Sequence, residues 1–393
     1  MILDVVLYGL SAVFALVTGL TSTLLPHRAW GTIAAWGYLA AFLVVLAQLV
    51  LRRPAWRMAL TWVAFAAVSL APMVVQAVQR AGGRLDRAQE EVLVVERMGA
   101  RLASTGTPYL SHDAIAALPP ADRLPAYSPY QPGMAVFGLP RAWFGDVWWT
   151  DSRIWFAVVT VVALGVAVRL FPSVRAAQAA TVFPICALTL ATGGDDMPVL
   201  ALCLLAIALC FGDRFVAAGL VVGLAAALKL FAFPVVAVLV VLAVATGNGR
   251  RLLPGALGLP LLALVPPLLV DADALVENVI RFPLGHGLVT SPAQSPFPGQ
   301  LIASSLPAGR YVAATLLVAA GLAIAVLLVR RPPRTAAAAA LFSGYGLLTA
   351  ILLMPTTRFG YLLYPVALLV WGFTLSRHTA SRAPRRDPAL YRL

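Results

Sequence analysis

The chain is poor in charge. Only 11% of its 393 residues are Asp, Glu, Lys or Arg, against about 25% in a soluble domain, which excludes a soluble catalytic domain of about a hundred residues or more. Cysteine is equally scarce. Cys186, Cys203 and Cys210 all fall inside apolar runs, with spacings that spell neither a disulfide framework nor a metal site, and they read as small hydrophobes of a bundle. Acids number 16, are nearly absent from the apolar runs, and come with no internal repeat, all of which argues against a coupled carrier. Of 29 Lys and Arg residues, Lys229 is the only lysine. The excess of Arg, Ala and Val looks like that of a high-GC bacterium, against which a single lysine stands out. The net charge of +13 does not point to nucleic acid, because it sits in short loops and the C-terminal tail and not on a soluble face.

What the chain has instead is apolar length. With 61% hydrophobic residues, it contains runs such as 56–78, 153–171 and 311–329 that can cross a bilayer core of roughly 30 Å. Spans are expected at about 2–25, 31–51, 56–78, 153–171, 176–193, 197–212, 215–229, 231–247, 252–270, 311–329, 335–354 and 360–376. The first lacks a basic n-region and a cleavage site and reads as a retained span. The fold expected is an all-α polytopic membrane protein with about 12 transmembrane helices. Arginines sort its sides: Arg52, Arg53 and Arg57; Arg169 and Arg175; Arg214; Arg250 and Arg251; Arg330, Arg331 and Arg334; and the tail from Arg377. All fall on one side if 215–247 is two short helices, and that side is cytoplasmic by the positive-inside rule, with both termini on it. Lys229 and Pro234 give the physical reason for a break, since a charge is costly at mid-bilayer and proline removes a helical donor.

This topology divides the chain into three helices (1–78), an extracytoplasmic loop (79–152), a bundle (153–376) with an outer loop at 271–310, and a basic tail (377–393). The loop 79–152 carries eight of the 16 acids. From Asp86 to Ser104 it has helical periodicity. Glu91, Val95, Met98 and Leu102 share one stripe, so Glu91 sits where a carboxylate does not belong. Packed on the membrane domain it would be desolvated and its pKa raised, as a general base requires. Tyr130 and Gln131, in Tyr127-Ser-Pro-Tyr-Gln-Pro-Gly133, suit contact with a sugar. Trp143, Trp148, Trp149 and Trp155 suit an interfacial belt. Asp146 and Asp151 are expected to cap or flank the span that follows. Lys229, Arg358 in Pro355-Thr-Thr-Arg-Phe-Gly360, and His286 in a Gly/Pro-rich loop are candidate phosphate or sugar ligands. Asp195 and Asp196 could take a sugar hydroxyl; two adjacent acids alone do not make a metal site.

Two stretches resemble the GT-C membrane glycosyltransferases, in particular the family-87 polyprenyl-phosphate-mannose-dependent mannosyltransferases. One is Glu91-Val-Leu-Val-Val-Glu96-Arg-Met-Gly99, followed by Gly106-Thr-Pro108-Tyr109 and then Tyr127-Ser-Pro129 before Met134–Leu139. The other is Gly194-Asp-Asp-Met-Pro with the small-residue run Ala217–Leu228 that ends in Lys229-Leu-Phe-Ala-Phe-Pro234. The resemblance implies a GT-C-like bundle and a catalytic carboxylate near the start of the first large loop. Glu91 matches that position by its spacing to Pro108-Tyr109, although the family usually has Asp there; Glu96 and Asp86 remain competitors. The family's amide-bearing turn is replaced by Asp195-Asp196.

The function so implied is transfer of one sugar, expected to be mannose, from a polyprenyl phosphate to a lipid or glycan acceptor. Transfer would occur with inversion, on the outer face of a bacterial plasma membrane. The donor is a substrate and no cofactor or nucleic acid is called for. A carboxylate takes the acceptor proton while cations stabilise the departing phosphate. A secondary transporter and a surface-glycan ligase or polymerase are the competing readings.

Overall fold

The computed structural model describes residues 1–52 and 56–382. Arg53 and the tail residues Arg385, Arg386, Asp387 and Arg392 lie outside the described residues. The described chain is helical, and its β-structure is confined to an isolated bridge between Gln294 and Thr357. Each expected span falls on helix. Eight helices are long and apolar enough to cross a membrane: Ile2–Thr21, Leu25–Val50, Arg57–Ala81, Ser152–Leu170, Gly249–Val270, Gly309–Arg330, Ala336–Leu353 and Phe359–Ala380. Val174–Ala180 and Pro184–Thr192 form a pair bent by 43° and make a ninth if taken as one span. Pro184 opens the second half of that pair, where its missing donor costs nothing. Asp196–Phe211, Phe215–Leu228 and Leu230–Ala245 are shorter; at 1.5 Å per residue, 16 residues reach about 24 Å, less than a bilayer core.

The first of these shorter helices sits at the centre. Asp196–Phe211 is apolar on every face after its first residue and buried from Asp196 to Cys210, as a helix with no polar stripe must be. It packs on Ser152–Leu170 and Phe215–Leu228, and the latter on Gly249–Val270. That last contact is set by small residues: a Cβ on Gly223 would come within 2.1 Å of the Gly255 carbonyl oxygen, so only glycine lets the backbones meet. The run 215–247 is broken as the charge parity requires. Lys229 is extended (φ −154°, ψ 143°) and separates the helix ending at Leu228 from the 3₁₀ turn Leu230–Ala232.

Polar residues gather at the two ends of the bundle. At one end, Asp4 receives Arg57 (2.8 and 3.0 Å), Arg175 (2.8 Å) and the Gln178 amide (3.1 Å). His378 of the last helix packs near it against Phe171 and Phe211. The chain start and the end of the last described helix therefore share one end. That helix runs to Arg382, past the expected start of the tail at 377.

The opposite end carries the loop, whose helix spans Glu90–Thr105. It starts four residues later than periodicity suggests, because Leu85–Arg87 forms a separate 3₁₀ turn. Gly106 (φ +78°) closes it with its N–H on the Leu102 carbonyl, the left-handed position glycine takes at little cost. Val92, Val95 and Met98 are buried, and the helix lies so close to the turn Pro132–Gly138 that a Cβ on Gly138 would sit 2.2 Å from the Val95 carbonyl. Trp143, Trp148 and Trp155 project outward around the start of Ser152–Leu170.

Buried ion pairs pin this layer down. Arg80 donates to both oxygens of Glu96 (2.7 and 2.6 Å) and to Asp151 (2.9 Å). Arg153, fully buried, holds both oxygens of Asp151 (2.8 Å each) and donates to the Arg87 and Ala191 carbonyls. Arg141 joins Glu96 and Asp146. Arg80 and Arg153 thus meet Glu96 and Asp151, so charge is balanced where water is excluded, while the Arg141–Asp146 pair lies at the exposed rim. Burial alone would raise the Asp151 carboxyl, but Arg153 and Arg80 hold it well below the usual carboxylate range. Asp151 also accepts the Arg153 N–H and caps the helix that follows. Asp146 does not cap; it pairs with Arg141.

Candidate active site

Most of the sequence-derived candidates converge on the loop-bearing end. Lys229 leaves the helix break and donates to Asp195 Oδ2 and Asp196 Oδ1, each at 2.6 Å. Tyr364 donates to Asp196 Oδ1 at 2.7 Å. Three aromatic rings surround the ammonium: Tyr130, Tyr361 and Phe231, with centroids 5.3, 5.5 and 6.0 Å from Nζ, within cation–π range. Lys229, Asp195 and Asp196 are each at most 6% exposed. Sequence reasoning expects a lone cation here, open to a phosphate. The structure instead closes two of its three donors on Asp195 and Asp196, leaving a cluster of one lysine and two carboxyl groups.

Local backbone chemistry explains why these residues meet. Asp195 precedes the first turn of Asp196–Phe211, where a carboxylate is favoured by the helix dipole. The turn into it needs Gly194 at φ +86°, where a Cβ would also lie 2.7 Å from the Phe156 ring. The break at Lys229 frees the Leu228 carbonyl, and the loop satisfies it through the Gln131 N–H at 3.1 Å. This contact seats Tyr130 beside the ammonium, and Tyr109 fixes it further by donating its hydroxyl to the Tyr130 carbonyl at 2.8 Å. Gln131 thus contributes its main-chain N–H to the seating of the loop. Burial, with Asp195 nearby, pushes the Tyr130 hydroxyl well above its ordinary value, so it stays protonated.

Glu91 lies in the first turn of the loop helix, 14% exposed at its side chain, and pairs with Arg358. The two subsites are contiguous. Residue 89 anchors the start of that helix by its N–H on the Thr192 carbonyl (3.0 Å) and by its side chain, which bonds Thr192 and His27 (2.9 and 2.8 Å). This brings the Glu91 carboxylate within 3.8 Å of where a Cβ on Gly193 would lie, two residues before Asp195. Arg358 stands three residues before Tyr361. Its strand-like segment is tied to the outer loop by the Ser295 N–H on Thr357 and the Thr357 N–H on Ala293, both 2.9 Å. Arg358 is 37% exposed at its side chain and so remains open to a ligand.

Three candidates lie elsewhere. Glu96 is committed to Arg80 and Arg141 through both oxygens and holds the loop in place. Asp86 is on the surface turn, between Arg84 and Arg87. His286 lines a separate cavity of about 560 Å³ with His112, Asp273 and Glu277. The network predicts a contrast: Glu96→Gln is expected to lower stability by about 3 kcal/mol or more, because Arg80 loses half of a buried charge balance. Thermal melting of the purified protein checks this; an unchanged melting temperature would show that the pair is not buried in the folded protein.

Tyr361 and Tyr364 escaped the sequence reading. Their only signal is spacing: two tyrosines three residues apart at the start of an apolar span, just after Arg358, share one helix face. Arg80 and Arg153 escaped as well, since at the ends of apolar runs they look like flanking charges.

A model of glycosyltransferase family 87 matches residues 128–356. Two crystal structures of ArnT from Cupriavidus metallidurans are similar to the chain. The apo form shares 19% identity over 74% of this chain and 55% of that one, with a TM-score of 0.46. The form bound to undecaprenyl phosphate shares 18% over 80% and 59%, also with a TM-score of 0.46. The chain thus spans less than two thirds of the length of ArnT. No curated protein matches it.

Proposed function

Because the chain belongs to glycosyltransferase family 87, we propose that it moves a single mannose from a polyprenyl-phosphate donor to a hydroxyl of a lipid or glycan acceptor, inverting the anomeric centre. Transfer occurs on the outer face of a bacterial plasma membrane. The end carrying Asp4, Arg57 and Arg175 is the cytoplasmic one, which puts both termini inside and the Glu91 end outside. Membership of a glycosyltransferase family sets aside the transporter reading.

The observation that carries the proposal is the meeting of Glu91 with Arg358 beside the Lys229 cluster. Arg358 takes the donor phosphate, for which a guanidinium is suited. Glu91, released from that pair, accepts the proton of the attacking hydroxyl. The acceptor oxygen bonds to the anomeric carbon as the bond from that carbon to the phosphate oxygen breaks, and the electron pair leaves with the phosphate toward Arg358. Lys229 acts from behind, holding Asp195 and Asp196 oriented through its two 2.6 Å bonds so that they can accept sugar hydroxyls. Tyr130 and Tyr361 supply apolar faces for the ring. The donor's phosphate is anchored in the bilayer by its own lipid, so the proposed step needs no nucleotide-binding domain, metal or cofactor.

The test is incubation of the purified protein with polyprenyl-phosphate-mannose and membrane lipids, followed by mass spectrometry of the lipid fraction. Gain of one hexose by an acceptor supports the reading. Transfer of a whole glycan from a polyprenyl diphosphate, with none from the monophosphate sugar, would replace it with the ligase alternative.

A further inference from the structure

A second cavity opens at the same end of the bundle, on the side of the first two helices. It has a volume of about 470 Å³ and lies between Leu25–Val50, Arg57–Ala81 and the turn 84–87. Three arginines line it, Arg28, Arg84 and Arg87, against a single acid, Asp86. Asp86 is shared by Arg84 (3.1 Å) and Arg87 (2.6 Å), so it cannot neutralise both. The guanidinium of Arg28 makes no hydrogen bond or ion pair within the described residues. These cations stand at the end opposite Asp4, Arg57 and Arg175, where the positive-inside rule supplies no reason for them.

A buried amide adds an independent sign of a ligand. Gln76 lines the same cavity and is fully buried, yet its Oε1 has no hydrogen-bond partner, while its Nε2 reaches the Ala191 carbonyl only at 3.5 Å. A buried acceptor left unpaired costs about 1–3 kcal/mol; turning the amide over would set its oxygen against the Ala191 carbonyl and leave both amide atoms unpaired. A ligand hydroxyl would fill it. Thr32 and Gln79 complete the polar part of the wall, and its apolar part lies on membrane-crossing helices, with Leu25 and Val75 44% and 39% exposed.

We propose that this cavity binds the headgroup of an anionic, hydroxyl-bearing membrane lipid, its phosphate on Arg28, Arg84 and Arg87, a hydroxyl on Gln76 and its acyl chains along Leu25 and Val75. The three requirements coincide only in such a molecule. Free phosphate shares the charge but leaves Gln76 and the apolar wall without purpose. The cavity adjoins the site of transfer: His27, next to Arg28, bonds the side chain of Gln89, two residues before Glu91. That position suits a lipid acceptor, an assignment that rests on the glycosyl-transfer reading; the binding itself does not.

The experiment needs no donor and no turnover, so its failure is distinct from failure of the transferase reading. The full chain, purified in detergent, is offered equal amounts of phosphatidylglycerol and phosphatidylcholine, and retained lipid is counted by native mass spectrometry. Phosphatidylglycerol is expected to be retained about tenfold over phosphatidylcholine, as charge-assisted pairing with arginine predicts. Arg28→Gln, and Arg28→Gln with Arg84→Gln, are expected to abolish the preference. Both side chains are exposed, so melting temperatures should stay unchanged and separate lost binding from lost folding. Equal retention of the two lipids by the native protein, or full phosphatidylglycerol preference in the folded double variant, overturns the proposal. So does displacement of the lipid by excess inorganic phosphate, which would assign the cavity to a soluble anion.

Discussion

Glu91→Gln is expected to lower the rate of sugar transfer by a factor of about 10² to 10⁴, the usual contribution of a positioned general base, while the protein melts at nearly its original temperature. The amide keeps the shape of the carboxylate and cannot take a proton. The stability cost is small because the partner, Arg358, is 37% exposed and can turn to water when Glu91 no longer pairs with it; such part-exposed pairs contribute about 1 kcal/mol or less. The contrast with Glu96→Gln is the informative part. Both acids stand on one helix, five residues apart, yet one faces an accessible arginine and the other is sealed between Arg80 and Arg141. The first substitution should therefore remove activity and spare folding. The second should impair folding first. Initial rates of product formation and melting curves on the same preparations read both effects. A Glu91→Gln enzyme within about tenfold of the native rate would fall outside the range for a base and remove Glu91 from the mechanism.

The layout of the helices was legible because hydropathy and arginine parity act over long segments. A break in 215–247 follows from one charge and one proline, and the structure has it at Lys229. The placement of Tyr130, Asp195 and Asp196 beside that lysine was partly legible, since polar residues in an apolar chain have few places to gather. What could not be read was who pairs with whom. Whether Lys229 is an open cation or a counter-ion depends on a contact across 34 residues, and whether Glu96 is a base or a strut depends on Arg80, a helix away. Periodicity puts Glu91 on the buried stripe with Val95 and Met98, and the structure agrees in part. Periodicity says nothing of Arg358, which arrives from a distant part of the chain. Pairing within a low-dielectric interior is decided by tertiary packing, and it is pairing that separates a catalytic carboxylate from a structural one.

Lys229→Met tests the other half of the site and carries the largest expected cost in stability. Methionine fills nearly the same space but leaves Asp195 and Asp196 side by side, with Tyr364 as the hydroxyl donor to one of them. Two adjacent buried carboxylates cannot both stay ionised, and removing one partner of a buried ion pair costs about 3–5 kcal/mol. The expected result is a large fall in melting temperature together with loss of transfer. Since loss of activity alone could reflect loss of folding, the triple variant Lys229→Met, Asp195→Asn, Asp196→Asn supplies the decisive comparison. It removes the cation and both anions, so the uncompensated charge disappears and most of the stability should return, as it does when a buried ion pair is replaced as a unit. Activity should not return, because the oxygens proposed to receive the sugar hydroxyls are no longer anionic and no longer held by the ammonium. A triple variant that is both stable and active would leave the cluster with a purely structural part and move sugar recognition elsewhere in the cavity. A single Lys229→Met variant that melts like the native protein would show that Asp195 and Asp196 do not depend on the lysine at all, and the arrangement proposed around Glu91 would lose its inner wall.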